Sequence, residues 1–315
     1  MEFNIGLDRP FNLQYTLESG QVFRWERNGA WWVGDIAGGA VKVLQEGEWL
    51  RCVSSSEHLG STAVSSYFRL DDDLDGVLAP LMSDEVITKA AQEFYGMHLI
   101  RQDKWECLAS FLLATNANIP RIKKMVGAIC ARFGEPFEFE GASRHSFPRP
   151  DALASQSVSD LAECGLGYRA AFLKKVATSV RDGKIDFAEL SSLPYREAHE
   201  LLLAELRGEK VLLGVGPKVA DCVLLYSCGK DEAFPIDVWI GRALAKWYPT
   251  LIGPQLRKKL LKDGSAKLGE GDYYRISEKM RAELGKSAGY AQQYLYALAR
   301  SGAEQDLGRR KAARF

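Results

Sequence analysis

Two spacings of apolar positions divide the chain. Between Phe11 and Val53, short apolar and aromatic runs are cut by Asn28-Gly29, Gly38-Gly39 and Glu46-Gly47, each a strong hairpin signal. The spacing predicts strands near 11–17, 21–26, 30–36, 40–45 and 48–53, joined as a meander. A linking segment, Tyr67-Phe68-Arg69-Leu70-Asp71, precedes a helical pattern from about Leu74 to Gln92. From Leu99 onward the period is helical. Asp103, with Glu106 three residues later, reads as a capping box that opens a helix over Trp105–Thr115. Polar Phe137–Asp151 reads as a loop and Pro150–Ala162 as the next helix. Further helices are expected near 169–182, 196–207, 238–247, 254–262, 271–283 and 288–300. The fold class is therefore α+β, with an antiparallel β-sheet domain over 1–98 and an all-α domain over 99–315.

With 315 residues, 46% of them apolar, the chain can hold two or three compact cores. Its net charge is zero, but the charge is uneven: residues 1–98 carry 7 basic and 15 acidic side chains, and the rest carry 34 and 26. An acidic front and a basic rear suit DNA contacts made by the rear, and equally suit two ordinary solvated surfaces. The run Arg309-Arg310-Lys311-Ala312-Ala313-Arg314 adds non-specific phosphate attraction at most. No apolar run is long enough to span a membrane, and no secretion signal is legible. The six cysteines, at 52, 107, 130, 164, 222 and 228, are dispersed, as in a reduced protein of the cytoplasm, nucleoid or nucleus. Four dispersed histidines suggest no metal site, and no cofactor is expected.

The chemistry concentrates in Leu212–Asp237. Gly214 and Gly216 bracket Val215 in a turn, and Pro217 is a good first helical residue. Lys218 then falls in the first turn of an apolar helix, where the helix N-terminus and burial both favour a neutral, nucleophilic amine. Nineteen residues on, Asp237 stands where a helix N-cap belongs, and an acid held there is expected to stay ionised. An amine and a fixed carboxylate suit attack at a carbon that develops positive charge. Taken singly, Lys218 reads as readily as a surface lysine and Asp237 as an ordinary cap. With the helix before it, the run forms a helix-hairpin-helix over 196–228, whose turn presents backbone N–H groups to a phosphate.

This run resembles the helix-hairpin-helix DNA glycosylase superfamily, with Leu213 in place of the family's usual proline. Ser19-Gly20-Gln21-Val22-Phe23-Arg24-Trp25 is similar to a motif in the TATA-binding-protein-like domain of 8-oxoguanine DNA glycosylases. Asn116-Ala117-Asn118-Ile119-Pro120-Arg121-Ile122, Gly165-Leu166-Gly167-Tyr168-Arg169 and Gly289-Tyr290-Ala291-Gln292 match that family in order, with Ala117 as a departure. The four-cysteine iron–sulfur loop of related branches is missing, since no cysteine follows Cys228.

The resemblance implies a bifunctional glycosylase and abasic-site lyase, a monomer acting on double-stranded DNA with an oxidised purine, preferably opposite cytosine. Lys218 and Asp237 would be catalytic, and the Gly20 carbonyl would accept from N7–H of the lesion. Gln292 would read the Watson–Crick edge, with Cys222 and Tyr296 as walls. Cys222 fits equally well as a small buried hydrophobe. Asn116, Arg121, Tyr168 and Arg169 would face the opposite strand, although phosphate binding is the commoner fate of an arginine beside DNA. Tyr226 and Trp239 stand where animal members have methionine and histidine. A monofunctional alkyl-base glycosylase, using the aspartate alone, and a non-enzymatic DNA-binding module are the other readings.

Overall fold

The computed structural model describes residues 1–206, 209–262, 266 and 268–312. Five strands form one antiparallel sheet: β1 (Glu2–Gly6), β2 (Glu26–Asn28), β3 (Trp31–Ile36), β4 (Gly39–Glu46) and β5 (Trp49–Ser54). Strands β2 to β5 make the expected meander, with turns at the three glycine signals, and β1 returns to pair with β5, giving the order β1-β5-β4-β3-β2.

Segment 11–17 is a helix instead of a strand, α1 (Leu13–Glu18). Its residues alternate like a strand, but the Asn12 side chain accepts from the Tyr15 amide at 2.9 Å and caps a helical turn. Leu13 and Leu17, four apart, then face the sheet's core. The expected strand 21–26 is irregular, and only its end enters β2.

Next come α2 (Ser61–Tyr67), α3 (Leu74–Leu78) and α4 (Glu85–Glu93). The continuous helix expected from Leu74 is broken near Pro80, and Asp84 caps the restart by accepting from the Val86 and Ile87 amides at 2.9 Å. Then follow α5 (Lys104–Leu113), α6 (Ile119–Phe133), a hairpin β6 (Pro136–Phe139) and β7 (Ala142–His145), α7 (Pro150–Ala154) and α8 (Val158–Leu161). The hairpin replaces the loop expected over 137–151, turning at Glu140-Gly141. The helix expected over 150–162 is two short helices, because Ser157 opens a new capping box with Asp160. Only half the box at Asp103 forms: its carboxylate accepts from the Glu106 amide at 2.8 Å, while Glu106 turns to Arg24 at 3.1 Å.

The remaining helices are α9 (Arg169–Arg181), α10 (Phe187–Ser192), α11 (Tyr195–Leu203), α12 (Pro217–Ser227), α13 (Val238–Trp247), α14 (Pro254–Lys262), α15 (Glu270–Leu284) and α16 (Ala288–Ala312). Helix α11 stops before the expected 207, and the chain enters a two-residue pair, β8 (Glu205–Leu206) with β9 (Glu209–Lys210). The basic run at 309–314 lies outside the residues whose side chains are described.

Two apolar cores result. Trp25, Trp32, Val41, Leu50 and Phe68 centre the sheet's core, and a larger helical core takes Phe23, Leu74, Ile87, Phe111 and Tyr226. Arg69 ties the parts together: it meets Asp231 at 2.8 and 2.6 Å and Asp72 at 2.8 Å, beneath the Tyr290 ring. Among the described residues no helix is long and apolar enough to cross a membrane.

Candidate active site

Gly216 caps α12, Pro217 is its first residue and Lys218 its second, as the spacing predicts. The preceding turn is tight: Gly214 has φ +86, and a Cβ there would lie 2.5 Å from the Phe172 ring. Residues 219–227 are all buried, so α12 is a core helix whose half-buried N-terminal end carries the lysine. Lys218, Cys222 and Tyr226 recur every four residues and share a face. The floor under that face is Phe111 of α5. Lys218 Nζ lies 4.9 Å from its ring centre, and Tyr226 stacks on it at 5.4 Å and 17°. Phe23, from the motif at 19–25, meets the Phe111 ring edge-on at 5.5 Å.

Asp237 caps α13, and its Oδ1 accepts from the Ile240 amide at 2.8 Å. Desolvation by the surrounding protein raises the Asp237 carboxyl above its ordinary value, against the pull of the Ile240 and Trp239 amides, Lys218 and Arg242. Lys218 and Asp237 stand at the starts of successive helices, near enough that the lysine's charge favours the ionised Asp237 carboxylate. Burial pushes the Cys222 thiol up to about 12, with Lys218 opposing. A neutral thiol of this kind is a wall and not a nucleophile.

Gly20 sits in the turn after α1 with φ +81. A Cβ there would come within 3.0 Å of Tyr296 Oη and 3.4 Å of Ile119 Cδ1. The β-domain turn is therefore packed onto α16 and the first turn of α6. Gln292 and Gln293 of α16 are both buried. Tyr226 Oη donates to Gln293 Oε1 at 2.6 Å, and Gln293 Nε2 donates to the Ser19 carbonyl at 2.8 Å. Tyr296, Tyr226, Cys222 and Asp237 lie close to one another. The structure thus gathers Lys218, Asp237, Gly20, Cys222, Gln292 and Tyr296 into one cluster around Tyr226.

A second group gathers around Tyr168. Tyr168 is 51% exposed, and Asn116 Nδ2 donates to its hydroxyl at 3.1 Å. Arg121 is exposed on the first turn of α6. Arg169 is placed differently. Its guanidinium is buried, donating to the carbonyls of Thr115 at 3.0 Å and Asn116 at 3.2 Å, and lies 4.6 Å over the Tyr168 ring. It braces the loop at Thr115 and Asn116 against Tyr168 and does not project to solvent. Phe111 and Gln293 escaped sequence reasoning. Nothing set Phe111 apart from the core of α5, whereas a second amide beside Gln292 in an otherwise buried helix segment was a readable signal. A cavity of about 450 Å³ around Tyr195, His199 and Arg281 lies off the Asp221 side of α12 and contains none of these residues.

Residues 5–108 match the family described as 8-oxoguanine DNA glycosylase, N-terminal domain. Residues 109–264 match the HhH-GPD superfamily base excision DNA repair proteins. The chain is 30% identical over 259 residues to an N-glycosylase/DNA lyase of Saccharomyces cerevisiae, spanning 75% of this chain and 68% of that protein. It is 29% identical over 296 residues to N-glycosylase/DNA lyase OGG1 of Arabidopsis thaliana, spanning 90% and 76%. Its fold superposes on the Clostridium acetobutylicum 8-oxoguanine glycosylase/lyase, solved in complex with dsDNA containing cytosine opposite to 8-oxoG. That match has a TM-score of 0.82 and 31% identity, and covers 94% of this chain and 93% of that one.

Proposed function

The chain belongs to the 8-oxoguanine DNA glycosylase branch of the HhH-GPD superfamily, and on that premise we propose that Lys218 and Asp237 excise 8-oxoguanine from duplex DNA and then cleave the strand. It is a DNA-repair N-glycosylase and lyase of that superfamily. The observation that supports this residue assignment is the nearness of Lys218 and Asp237, each at a helix N-terminus, together with the packing of Gly20 against Tyr296.

A glycosidic bond inside a duplex is out of reach of a side chain, so the nucleotide is extruded, at a cost of about a few kcal/mol in stacking and pairing. Tyr168 is exposed where a wedge beside the vacated step would act, with Asn116 and Arg121 towards the orphan cytosine. Arg169 serves as their brace. The hairpin turn at Gly214 and Gly216 offers amides to a phosphate. In the pocket, the Gly20 carbonyl accepts from N7–H of 8-oxoguanine, which guanine lacks, and the Gln292 amide pairs with the Watson–Crick edge. Cys222 and Tyr296 flank the base.

The Lys218 amine then attacks C1′ as the bond to N9 breaks, and the electron pair leaves with the base. Asp237 stabilises the positive charge that develops on the sugar. Lys218 loses a proton, the sugar ring opens, and a Schiff base joins Nζ to C1′. The iminium acidifies the C2′ proton, and its removal expels the 3′ phosphate by β-elimination. A duplex with one 8-oxoguanine, placed in turn opposite each of the four bases, tests this reading. Release of free base with strand nicking, fastest opposite cytosine, supports it. Release of base without strand nicking, or of no base, rejects it.

A further inference from the structure

Recognition of N7–H by a backbone carbonyl sets a demand on the chain around Gly20. A hydrogen bond weakens steeply as its angle closes, so the carbonyl has to keep its direction. Glycine, without a Cβ, is the residue least able to hold a direction by itself. The two neighbouring carbonyls are both tied. Gln21 O accepts from Gln102 Nε2 at 2.8 Å, and the Gln21 side chain is fixed by the Ile100 amide and the His98 carbonyl, each at 2.8 Å. Ser19 O accepts from Gln293 Nε2 at 2.8 Å.

The second tie crosses from the β domain to α16, and its chemistry fixes which way the amide faces. A carbonyl only accepts, so Ser19 takes the NH₂ of Gln293. Oε1 of Gln293 is then left to accept the Tyr226 hydroxyl, at 2.6 Å. Gln293 is 1% exposed, so water does not compete for either bond. Tyr226 lies two turns after Lys218 on α12. A strut of three residues therefore runs from the lysine's own helix to the turn that reads the base.

We propose that Gln293 is a positioning residue for lesion recognition: it fixes the Gly20 carbonyl through Ser19, and the Tyr226 hydroxyl fixes Gln293. The inference rests on the reading that Gly20 accepts from N7–H, and it assigns to Gln293 the discrimination of 8-oxoguanine from guanine and no part in the amine chemistry.

The test uses the full chain and its Gln293→Met variant, which keeps length and apolar volume but removes both bonds. Single-turnover excision is measured on duplexes with 8-oxoguanine or guanine opposite cytosine, and borohydride trapping on a duplex with a preformed abasic site, which has no base to recognise. Gln293→Met is expected to slow 8-oxoguanine excision roughly tenfold and narrow its preference over guanine, with abasic trapping within about twofold of wild type. Tyr226→Phe removes one oxygen and leaves the ring on Phe111, so it carries the test should Gln293→Met fail to fold. Its expected loss is roughly threefold, again confined to excision. Parallel loss of excision and abasic trapping would reduce the strut to a structural contact and overturn the proposal, as would unchanged excision in both variants. A wild-type chain that traps on abasic DNA but does not prefer 8-oxoguanine to guanine would instead overturn the reading of Gly20.

Discussion

Replacing Asp237 by asparagine separates charge from geometry. Asparagine is as good an N-cap as aspartate, and its Oδ1 keeps the bond from the Ile240 amide, now 2.8 Å long. What disappears is the negative charge facing the sugar. Opposite unit charges at a contact distance of about 4 Å attract by about 4 kcal/mol at an effective dielectric of about 20. At about 1.4 kcal/mol per factor of ten, excision should slow about 10³-fold. An abasic aldehyde forms its Schiff base without passing through an oxocarbenium ion, so trapping on abasic DNA should fall less than about tenfold. Stability should move the other way. Burial raises the Asp237 carboxyl above its ordinary value of 3.8, so the stability from its protonated form is complete below that value and is lost as pH rises through the folded-state pKa. The asparagine variant should therefore match wild type near pH 4 and melt higher at pH 7. Single-turnover excision, abasic trapping and thermal unfolding at the two pH values make the comparison. Equal losses in excision and trapping, or a variant that is less stable at pH 7 than at pH 4 relative to wild type, would refute the reasoning.

Gly20→Ala, at φ +81 with Tyr296 Oη 3.0 Å from the new Cβ, should cost about 1–3 kcal/mol by denaturant unfolding and remove 8-oxoguanine excision in single-turnover assays. Arg69→Ala leaves Asp72 and Asp231 without their partner and should cost about 3–5 kcal/mol in the same unfolding measurement. Tyr168→Ala, at an exposed position, should leave stability within about 0.5 kcal/mol. It should slow excision from a fully paired duplex more than from one whose lesion is already unstacked by a mismatch, because a wedge is needed only where stacking remains.

The helical half of the chain was the more legible. The expected helices near 238–247 and 254–262 coincide with α13 and α14, since Asp237 and Pro254 are strong start signals and the apolar period is unbroken. The β half was harder, because Phe11, Leu13, Tyr15 and Leu17 satisfy a strand's alternation and a helix's four-residue repeat together. Contacts with Gln45 and Gly96, remote in sequence, accompany the helical outcome: Leu13 N donates to Gln45 Oε1 at 2.8 Å, and Asn12 N to Gly96 O at 2.7 Å. Strand β1 was invisible for a similar reason, as its pairing with β5 closes over the whole length of the sheet. The local structures at Gly20, Lys218 and Asp237 were legible, because Gly20 suits a left-handed turn, Pro217 marks the helix start that places Lys218, and Asp237 suits a cap. Local pattern could not show where Arg169 points, because its three acceptors lie on Thr115, Asn116 and Leu166, two of them in another loop. Nor could it show that Asp237 is desolvated, because the protein that encloses it comes from several helices.

The central claim is that the Lys218 amine becomes covalently joined to the sugar of an 8-oxoguanine nucleotide. Borohydride reduction during turnover traps such a Schiff base as a stable protein–DNA adduct. Wild type and Lys218→Gln should be compared on duplexes carrying 8-oxoguanine or guanine opposite cytosine. An adduct from wild type alone, on the lesion duplex alone, is the result predicted here. Base release by wild type without an adduct, or an adduct that survives in Lys218→Gln, would contradict it.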